Sequence, residues 1–192
     1  MDERFRHPTY MVRRKVLKIF GGAFYIYDPQ GNLAFFSEMK AFKLKEDIHL
    51  YTGEDKKVDL LAIKARQILD ISATYDVTDV PTGQKVGALK RKGLKSVLRD
   101  EWLILDVNDQ QIGTILEDSM AMALIRRLLT NLIPQKYTAT VQNQVVATYR
   151  QNFNPFVLKI TLDFSMDTKN LFDRRLAIAS VILLSGIEGR QQ

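Results

Sequence analysis

The chain has 192 residues, no cysteine and a formal net charge of +6. The absence of cysteine excludes disulfides, thiolate metal ligands and cysteine nucleophiles, and it favours an intracellular location. The length fits a single domain, residues 1–192, and a content of 46% hydrophobic and 26% charged residues is typical of a folded globular protein.

The first predicted element is a β-hairpin. The segment FYIYD is followed by a turn, DPQGN at residues 28–32, and then by LAFFSEM. Proline presets φ and glycine or asparagine accepts positive φ, as tight turns require. The next segment, AFKLKEDIHLYT, alternates apolar and polar residues with a slip between Leu44 and Ile48, which predicts a half-buried strand with a bulge or turn. VDLLAIKARQILD has helical propensity, but its neighbours favour another strand.

A strand–turn–strand pattern recurs from Ile71 onward. It is present in SATYDVTDVPTGQKVGALKRK, in DEWLILDVNDQQIGTILED and in YTATVQNQVVATYRQ, and a final strand follows in FVLKITLDFSM. Serial hairpins of this kind predict a meandering antiparallel sheet, and closing such a sheet into a barrel removes its exposed edges.

Two segments are predicted to be helical. MAMALIRRLLTNLI, residues 120–133, follows the capping sequence EDS and ends at Pro134; its partly polar side carries Arg126 and Arg127, so we expect it to pack on the outside of the sheet. The other segment, LAIASVILLSGI at residues 176–187, is apolar on all sides. As a helix it is only about 18 Å long, shorter than the roughly 20 apolar residues that cross a bilayer. We therefore expect a helix enclosed by the sheet, with Asp167 or Asn170 as its N-cap.

Several motifs together resemble the LURP-one-related and phospholipid scramblase-like group of the tubby-like superfamily. The resemblance covers residues 15–187, which we take as the domain core. The matching motifs are Tyr75-Asp76-Val77 with Thr82-Gly83, Arg99-Asp100-Glu101-Trp102, Leu105-Asp106 with Ile112-Gly113, and the apolar segment NLFDRRLAIASVILLSGI.

The resemblance implies a mainly β fold (α+β): a closed antiparallel tubby-like barrel of about twelve strands around a buried C-terminal helix. It also implies two kinds of activity, since tubby-like domains are associated with phosphoinositide binding through surface Lys and Arg, and scramblases with calcium-dependent lipid movement. Near the closing helix this chain has only Asp163 and Asp167, too few acids for a calcium loop, and it has no cysteine that could be palmitoylated.

Other chemistry finds little support in the sequence. An EF-hand-like spacing at Asp106, Asn108, Gln110 and Glu117 lacks the required glycine, so we interpret it as a hairpin turn. The two histidines, His7 and His49, lack zinc-binding partners in sequence, and the chain contains neither a phosphate-binding glycine loop nor GxSxG. We expect no cofactor, no metal and no catalytic residue.

The most basic segment of the chain is the candidate binding site. Its cations could surround an anionic lipid headgroup, and Arg126 and Arg127 are secondary candidates. A second cluster lies at residues 13–18, and an ordinary solvated face is the alternative interpretation of both clusters. The candidate residues of the main segment are Lys90, Arg91, Lys92, Lys95 and Arg99.

These observations favour a non-enzymatic binding module that contacts anionic phospholipid headgroups or an acidic protein. A ligand carrier or enzyme that uses a barrel cavity, and a structural or regulatory protein without a small ligand, are the alternatives. Nucleic acid is disfavoured because no RNP, KH or helix-turn-helix pattern accompanies the charge. The N-terminal sequence lacks a signal peptide and no segment is long enough to span a membrane, so we expect a cytoplasmic or peripheral membrane protein.

Overall fold

Twelve antiparallel strands form a closed barrel around one α-helix. A computed structural model describes residues 1–17, 21–40, 47–66, 73–92, 101–117, 134–152 and 157–188. The elements are β1 (Thr9–Leu17), β2 (Gly21–Tyr27), β3 (Leu33–Lys40), β4 (Ile48–Tyr51), β5 (Asp59–Ala65), β6 (Thr74–Asp79), β7 (Gln84–Arg91), β8 (Glu101–Leu105), β9 (Gln111–Glu117), β10 (Lys136–Val141), β11 (Gln144–Gln151), β12 (Leu158–Asp163) and α1 (Arg174–Glu188), with a short 3-10 helix at Glu3–Phe5.

The topology is an up-and-down meander. Each strand pairs with the next in sequence, and β1 pairs with β12, in the register Thr9↔Asp163 to Arg14↔Leu158, to close the sheet. The predicted barrel and its serial hairpins are therefore confirmed. The segment VDLLAIKARQILD contains β5, as predicted, and residues 106–110 form a hairpin turn rather than an EF-hand.

Two predictions fall on parts of the chain that are not described. The amphipathic helix predicted at residues 120–133 lies outside the described residues. Of the predicted strand AFKLKEDIHLYT, the structure describes β4, whereas residues 41–46 lie outside the described residues.

The two ends of the barrel differ. One end, which we call the hairpin end, carries the tight turns at residues 28–32, 52–58, 80–83, 106–110 and 142–143. At the other end, which we call the connection end, the strands enter the segments that join β1 to β2, β3 to β4, β5 to β6, β7 to β8, β9 to β10 and β11 to β12. The helix enters from the hairpin end, after residues 164–173, and its C-terminus points to the connection end.

The predicted enclosure of the closing helix is confirmed. Every side chain from Leu176 to Leu184 is at most 2% exposed. The polar members of the helix are satisfied inside the barrel: the Ser180 hydroxyl lies 2.7 Å from the Tyr149 hydroxyl, and Ser185 donates to the Val181 carbonyl at 2.6 Å. Burying a hydroxyl is costly unless it is hydrogen-bonded, so these partners make the enclosure possible.

The N-cap of the helix is Asp173, not Asp167 or Asn170 as the sequence suggested. The Asp173 carboxylate accepts the backbone N–H of Arg175 at 2.9 Å, as an N-cap does. Asp167 instead organises the preceding loop, because its buried carboxylate accepts the backbone N–H groups of Leu171 at 2.8 Å and Phe172 at 3.1 Å. The difference arises because a cap must directly precede the first helical residue, Arg174.

Charged contacts hold the helix at both of its ends. At the hairpin end, Arg174 donates to Asp167 at 2.8 Å and Arg175 donates to Asp79 of β6 at 2.6 Å. At the connection end, Arg14 of β1 donates to the Ser185 carbonyl at 2.9 Å. A cation is stabilising there, since the C-terminus of a helix carries partial negative charge.

Gly87 allows β7 to approach both the helix and β8. Its φ is +154°, and a Cβ at this position would lie 2.5 Å from the Leu105 carbonyl oxygen and 2.9 Å from Leu176 Cδ1. Only glycine accommodates both the backbone conformation and this close contact. The position therefore sets how tightly the start of the helix packs against the sheet.

We expect Ile182→Asp to abolish cooperative folding, because it places an unpaired carboxylate at a position with no exposure to solvent. Ile182→Val, the matched control, should cost only about 1 kcal/mol. Urea denaturation followed by circular dichroism measures both. A soluble Ile182→Asp variant with a cooperative transition would contradict the enclosed position of the helix.

Candidate functional site

The residues proposed from the sequence lie at the connection end of β7. Lys90 is exposed on the outer face, opposite Thr74 of β6 and Leu103 of β8. Arg91 faces the other side of the sheet from Lys90, because alternate residues of a strand face opposite sides. It is half-buried and lies opposite the buried Trp102. Lys92 is exposed, but its Nζ lies 2.5 Å from Glu101 Oε1. Lys90 is thus the member of this group whose charge is most available.

The other four proposed residues, Lys95, Arg99, Arg126 and Arg127, lie outside the described residues. The strands that flank them are described. Arg91 of β7 and Glu101 of β8 lie at the connection end, as do Glu117 of β9 and Lys136 of β10. The proposal for these four residues stays a prediction.

A different set of cations is brought together by the closure of the barrel. Five exposed or half-buried side chains lie on the outer faces of four adjacent strands, β10, β11, β12 and β1, and none forms an ion pair with any residue that the structure describes. We call this set the basic row. Its members are Arg13, Lys15, Lys136, Arg150 and Lys159.

The register places cations of the basic row directly opposite one another. Lys136 pairs with Arg150 across β10 and β11, and Arg13 pairs with Lys159 across β1 and β12. Both are non-hydrogen-bonded positions. Next to the Lys136–Arg150 pair, Gln151 N–H donates to the Gln135 carbonyl. In the register of β1 and β12, Phe164 N–H donates to the Pro8 carbonyl, so hydrogen-bonded pairs alternate with the non-hydrogen-bonded pairs Thr9–Asp163, Met11–Thr161 and Arg13–Lys159. Opposed Cα atoms at such positions are only about 4.5 Å apart.

Like charges in directly opposed positions destabilise a sheet by a few tenths of a kcal/mol to about 1 kcal/mol. The basic row contains two such pairs, linked by the neighbouring strands β11 and β12 into one continuous surface about 14 Å wide. Repulsion of this kind is relieved when an anion binds between the cations. The arrangement is therefore a candidate binding surface for a multiply charged anion.

Cations on strands β3 to β8 are, by contrast, largely engaged with carboxylates. Arg66 donates to Asp76 at 2.6 and 2.7 Å and also to Asp109, while Lys85 donates to Asp109 at 2.7 Å. Three further pairs are Lys56 with Glu38, Lys64 with Asp47 at 3.4 Å, and Lys92 with Glu101 at 2.5 Å. Among the residues that the structure describes, the available positive charge is thus concentrated on the side of the barrel that bears the basic row.

The Arg66 network also perturbs its carboxylates. Hydrogen bonds from Arg66 and Lys85 lower the pKa of Asp109 from 3.8 to about 2. A hydrogen bond from Arg66 likewise lowers the pKa of Asp76, against the opposing effect of its partial burial. Since Asp109 lies in the turn between β8 and β9, the network ties that turn to β5 and β6.

One His–Asp pair bears on the enzyme alternative. His49 Nδ1 lies 2.6 Å from Asp59 Oδ2, and the His49 ring stacks on Tyr51. Such a pair can orient a general base, but hydrolysis by a triad also needs a hydroxyl or thiol nucleophile on the imidazole. In the described part of the chain, no hydroxyl is hydrogen-bonded to His49.

The acids near the closing helix serve structural roles. Asp167 bonds two backbone amides and Arg174, and Asp163 accepts the Ser165 N–H at 2.8 Å. Within the described ranges, no three His, Cys, Asp or Glu side chains group as a metal site would require. No helix in those ranges is long and apolar enough to cross a bilayer.

These features define a class of protein: a twelve-strand antiparallel barrel that encloses its own C-terminal helix and carries cations on its outer face. The family model described as LURP-one-related matches residues 8–185. The chain therefore belongs to the LURP-one-related family, and the tubby-like architecture suggested by the sequence motifs agrees with this assignment. No curated protein and no solved structure gives a significant match to the chain.

The basic row was not predicted from the sequence. Residues 13–18 form a visible cluster of cations, but Lys136, Arg150 and Lys159 belong to separate strands with no local clustering. The available signal was alternation: Arg13 and Arg150 each follow a buried apolar or aromatic residue, Val12 and Tyr149, and Lys136 and Lys159 each precede one, Tyr137 and Ile160. Assembling the row required the register of the closed sheet.

Neutralising one member of an opposed pair should stabilise the protein. We expect Lys136→Gln and Lys159→Gln each to raise the free energy of unfolding by about 0.5 kcal/mol at low salt, because like-charge repulsion is removed. The gain should disappear in 1 M salt, where the screening length is about 3 Å. Lys57→Gln, which alters a cation paired with Asp55 at 3.3 Å, is the control and should give no gain. Equal effects at all three positions in urea denaturation would contradict the opposed arrangement.

The Arg66 network predicts a specific acid sensitivity. The folded-state pKa values of Asp76 and Asp109 are lowered. The contribution of the two ionised carboxylates to the free energy of unfolding is therefore present above pH 3.8 and is lost as the pH falls towards about 2. The free energy of unfolding should fall over this range, and less steeply in Arg66→Gln. Identical slopes for the wild type and the variant would show that the network does not set the acid response.

Proposed function

We propose that this protein is a non-enzymatic module that binds anionic membrane surfaces through the basic row. The observation that carries the proposal is the set of five cations without an ion-pair partner among the described residues, two pairs of which are directly opposed across neighbouring strands. A soluble globular domain keeps such repulsion at a cost in stability, and binding of anions offsets that cost.

The chemistry of the basic row favours lipid headgroups over an acidic protein segment. Its cations lie on the outer, convex face of a barrel, and each is a long side chain with a mobile charged end. Headgroups diffuse within the membrane and can match any spacing of cations, whereas a peptide needs a groove that fixes its carboxylates. Each Lys or Arg near an anionic membrane contributes about 1 kcal/mol.

Because the interior of the barrel is filled, a binding site on the outer surface is favoured. The helix occupies the axis of the barrel, where a carrier of the lipocalin type would hold its ligand. Ligand recognition through the outer surface requires no movement of this helix. Scramblase-like lipid movement is not part of the proposal, since Asp163 and Asp167 are engaged in structural hydrogen bonds.

Vesicle co-sedimentation tests the proposal with three double variants that change the net charge equally. Lys136→Gln/Arg150→Gln alters the basic row, Lys90→Gln/Lys92→Gln alters the segment proposed from the sequence, and Lys57→Gln/Lys169→Gln alters the hairpin end. Vesicles of phosphatidylcholine alone, with phosphatidylserine, and with a phosphoinositide are compared at low and high salt.

We expect salt-sensitive binding to both anionic compositions, a loss of about 30-fold in affinity for the basic-row variant, and little change for the hairpin-end variant. Absence of binding to anionic vesicles at low salt would overturn the membrane proposal and leave an acidic protein as the partner. A loss in the Lys90/Lys92 variant alone would instead move the site to β7.

A further inference from the structure

We infer that the barrel docks on an anionic lipid surface by its side, with the outer faces of β10, β11, β12 and β1 towards the lipid and β6 facing away. This inference rests on the function proposed above and specifies which surface makes the contact. The alternative is end-on docking, in which the whole connection end meets the membrane and strands from all around the barrel contribute.

The distribution of ion pairs separates these two geometries. Strands β6 and β12 are six positions apart in a ring of twelve, so they lie on opposite sides of the barrel. On the β12 side, the cations of the basic row are without carboxylate partners in the described structure. On the opposite side, Arg66, Lys85 and Lys92 are each held by a carboxylate: Arg66 by Asp76 at 2.6 Å, Lys85 by Asp109 at 2.7 Å and Lys92 by Glu101 at 2.5 Å.

An end-on arrangement would require those carboxylates to approach the anionic surface together with their cations. Asp76, Asp109 and Glu101 offset the positive charge of the β5–β8 side, and Lys90 is the exposed cation there without a described partner. On the basic-row side, the nearest outward carboxylate of β12 is Asp163, at the hairpin end. The electrostatic attraction is therefore lateral rather than axial.

The geometry of the barrel allows the five cations of the basic row to contact one flat surface at the same time. Four adjacent strands of a twelve-strand barrel span about 90° of its circumference. Long Lys and Arg side chains on such an arc can bring their charged ends to one plane. Opposed pairs at Lys136/Arg150 and Arg13/Lys159, with Lys15 two residues further along β1, then contact the surface simultaneously.

Single-cysteine labelling tests this orientation, because the chain contains no cysteine of its own. An environment-sensitive fluorophore is attached at Thr161 of β12, at Thr74 of β6, or at Thr82 in the turn of the hairpin end. Thr161 is exposed within the basic row, whereas Thr74, the first residue of β6, lies on the far side of the barrel at the connection end. Met11, opposite Thr161 on β1, provides a second reporter if the label at Thr161 weakens co-sedimentation.

With vesicles of phosphatidylcholine and phosphatidylserine, we expect labels at positions 161 and 11 to lose accessibility to a water-soluble quencher, while labels at 74 and 82 keep theirs. Equal protection at 161 and 74 would overturn side-on docking in favour of end-on docking, and protection at 74 alone would place the contact on the opposite side. Co-sedimentation without this pattern contradicts only the orientation. Absence of co-sedimentation for wild type and labelled proteins alike contradicts the proposed function itself.

Discussion

The fold depends on filling the interior of a barrel that is too wide for its own side chains to fill. Side chains alone fill the interior of a barrel of about eight strands, and the diameter of a barrel grows with the number of its strands. Twelve strands leave room for an additional element, and the apolar helix Arg174–Glu188 occupies it. Sheet and helix are mutually dependent, since the helix has no polar face and the sheet would otherwise surround an empty space.

The same constraint directs where chemistry can take place. Inside the barrel, polar groups are tied to the helix: Arg14 bonds the Ser185 carbonyl, Arg175 bonds Asp79, and Tyr149 bonds Ser180. These side chains hold the helix in register with the sheet. Outside, among the described residues, the exposed cations of the β5–β8 side are paired with carboxylates except at Lys90, whereas the basic row has no carboxylate partners. The physical asymmetry of the molecule is therefore on its surface.

Much of the fold could be predicted from local chemistry. The turn at residues 28–32, the recurring hairpins and the apolar stretch at residues 176–187 depend on signals within a few residues, and all three predictions are confirmed. The basic row could not be assembled this way, because Arg13 and Lys159 come together only when the first and last strands close the sheet. Local clustering favoured Lys92, but Glu101 neutralises it across a connection whose geometry the sequence does not reveal.

The claim that this surface recognises anions is tested most directly by nuclear magnetic resonance of the uniformly ¹⁵N-labelled wild-type chain with bicelles. Amide signals are compared between zwitterionic bicelles and bicelles that contain phosphatidylserine. The account predicts that anionic lipid selectively perturbs amides of β1, β11 and β12 around Arg13, Arg150 and Lys159, and that added salt reverses the change. Perturbations confined to β5–β8, or spectra identical in the two lipids, would contradict it.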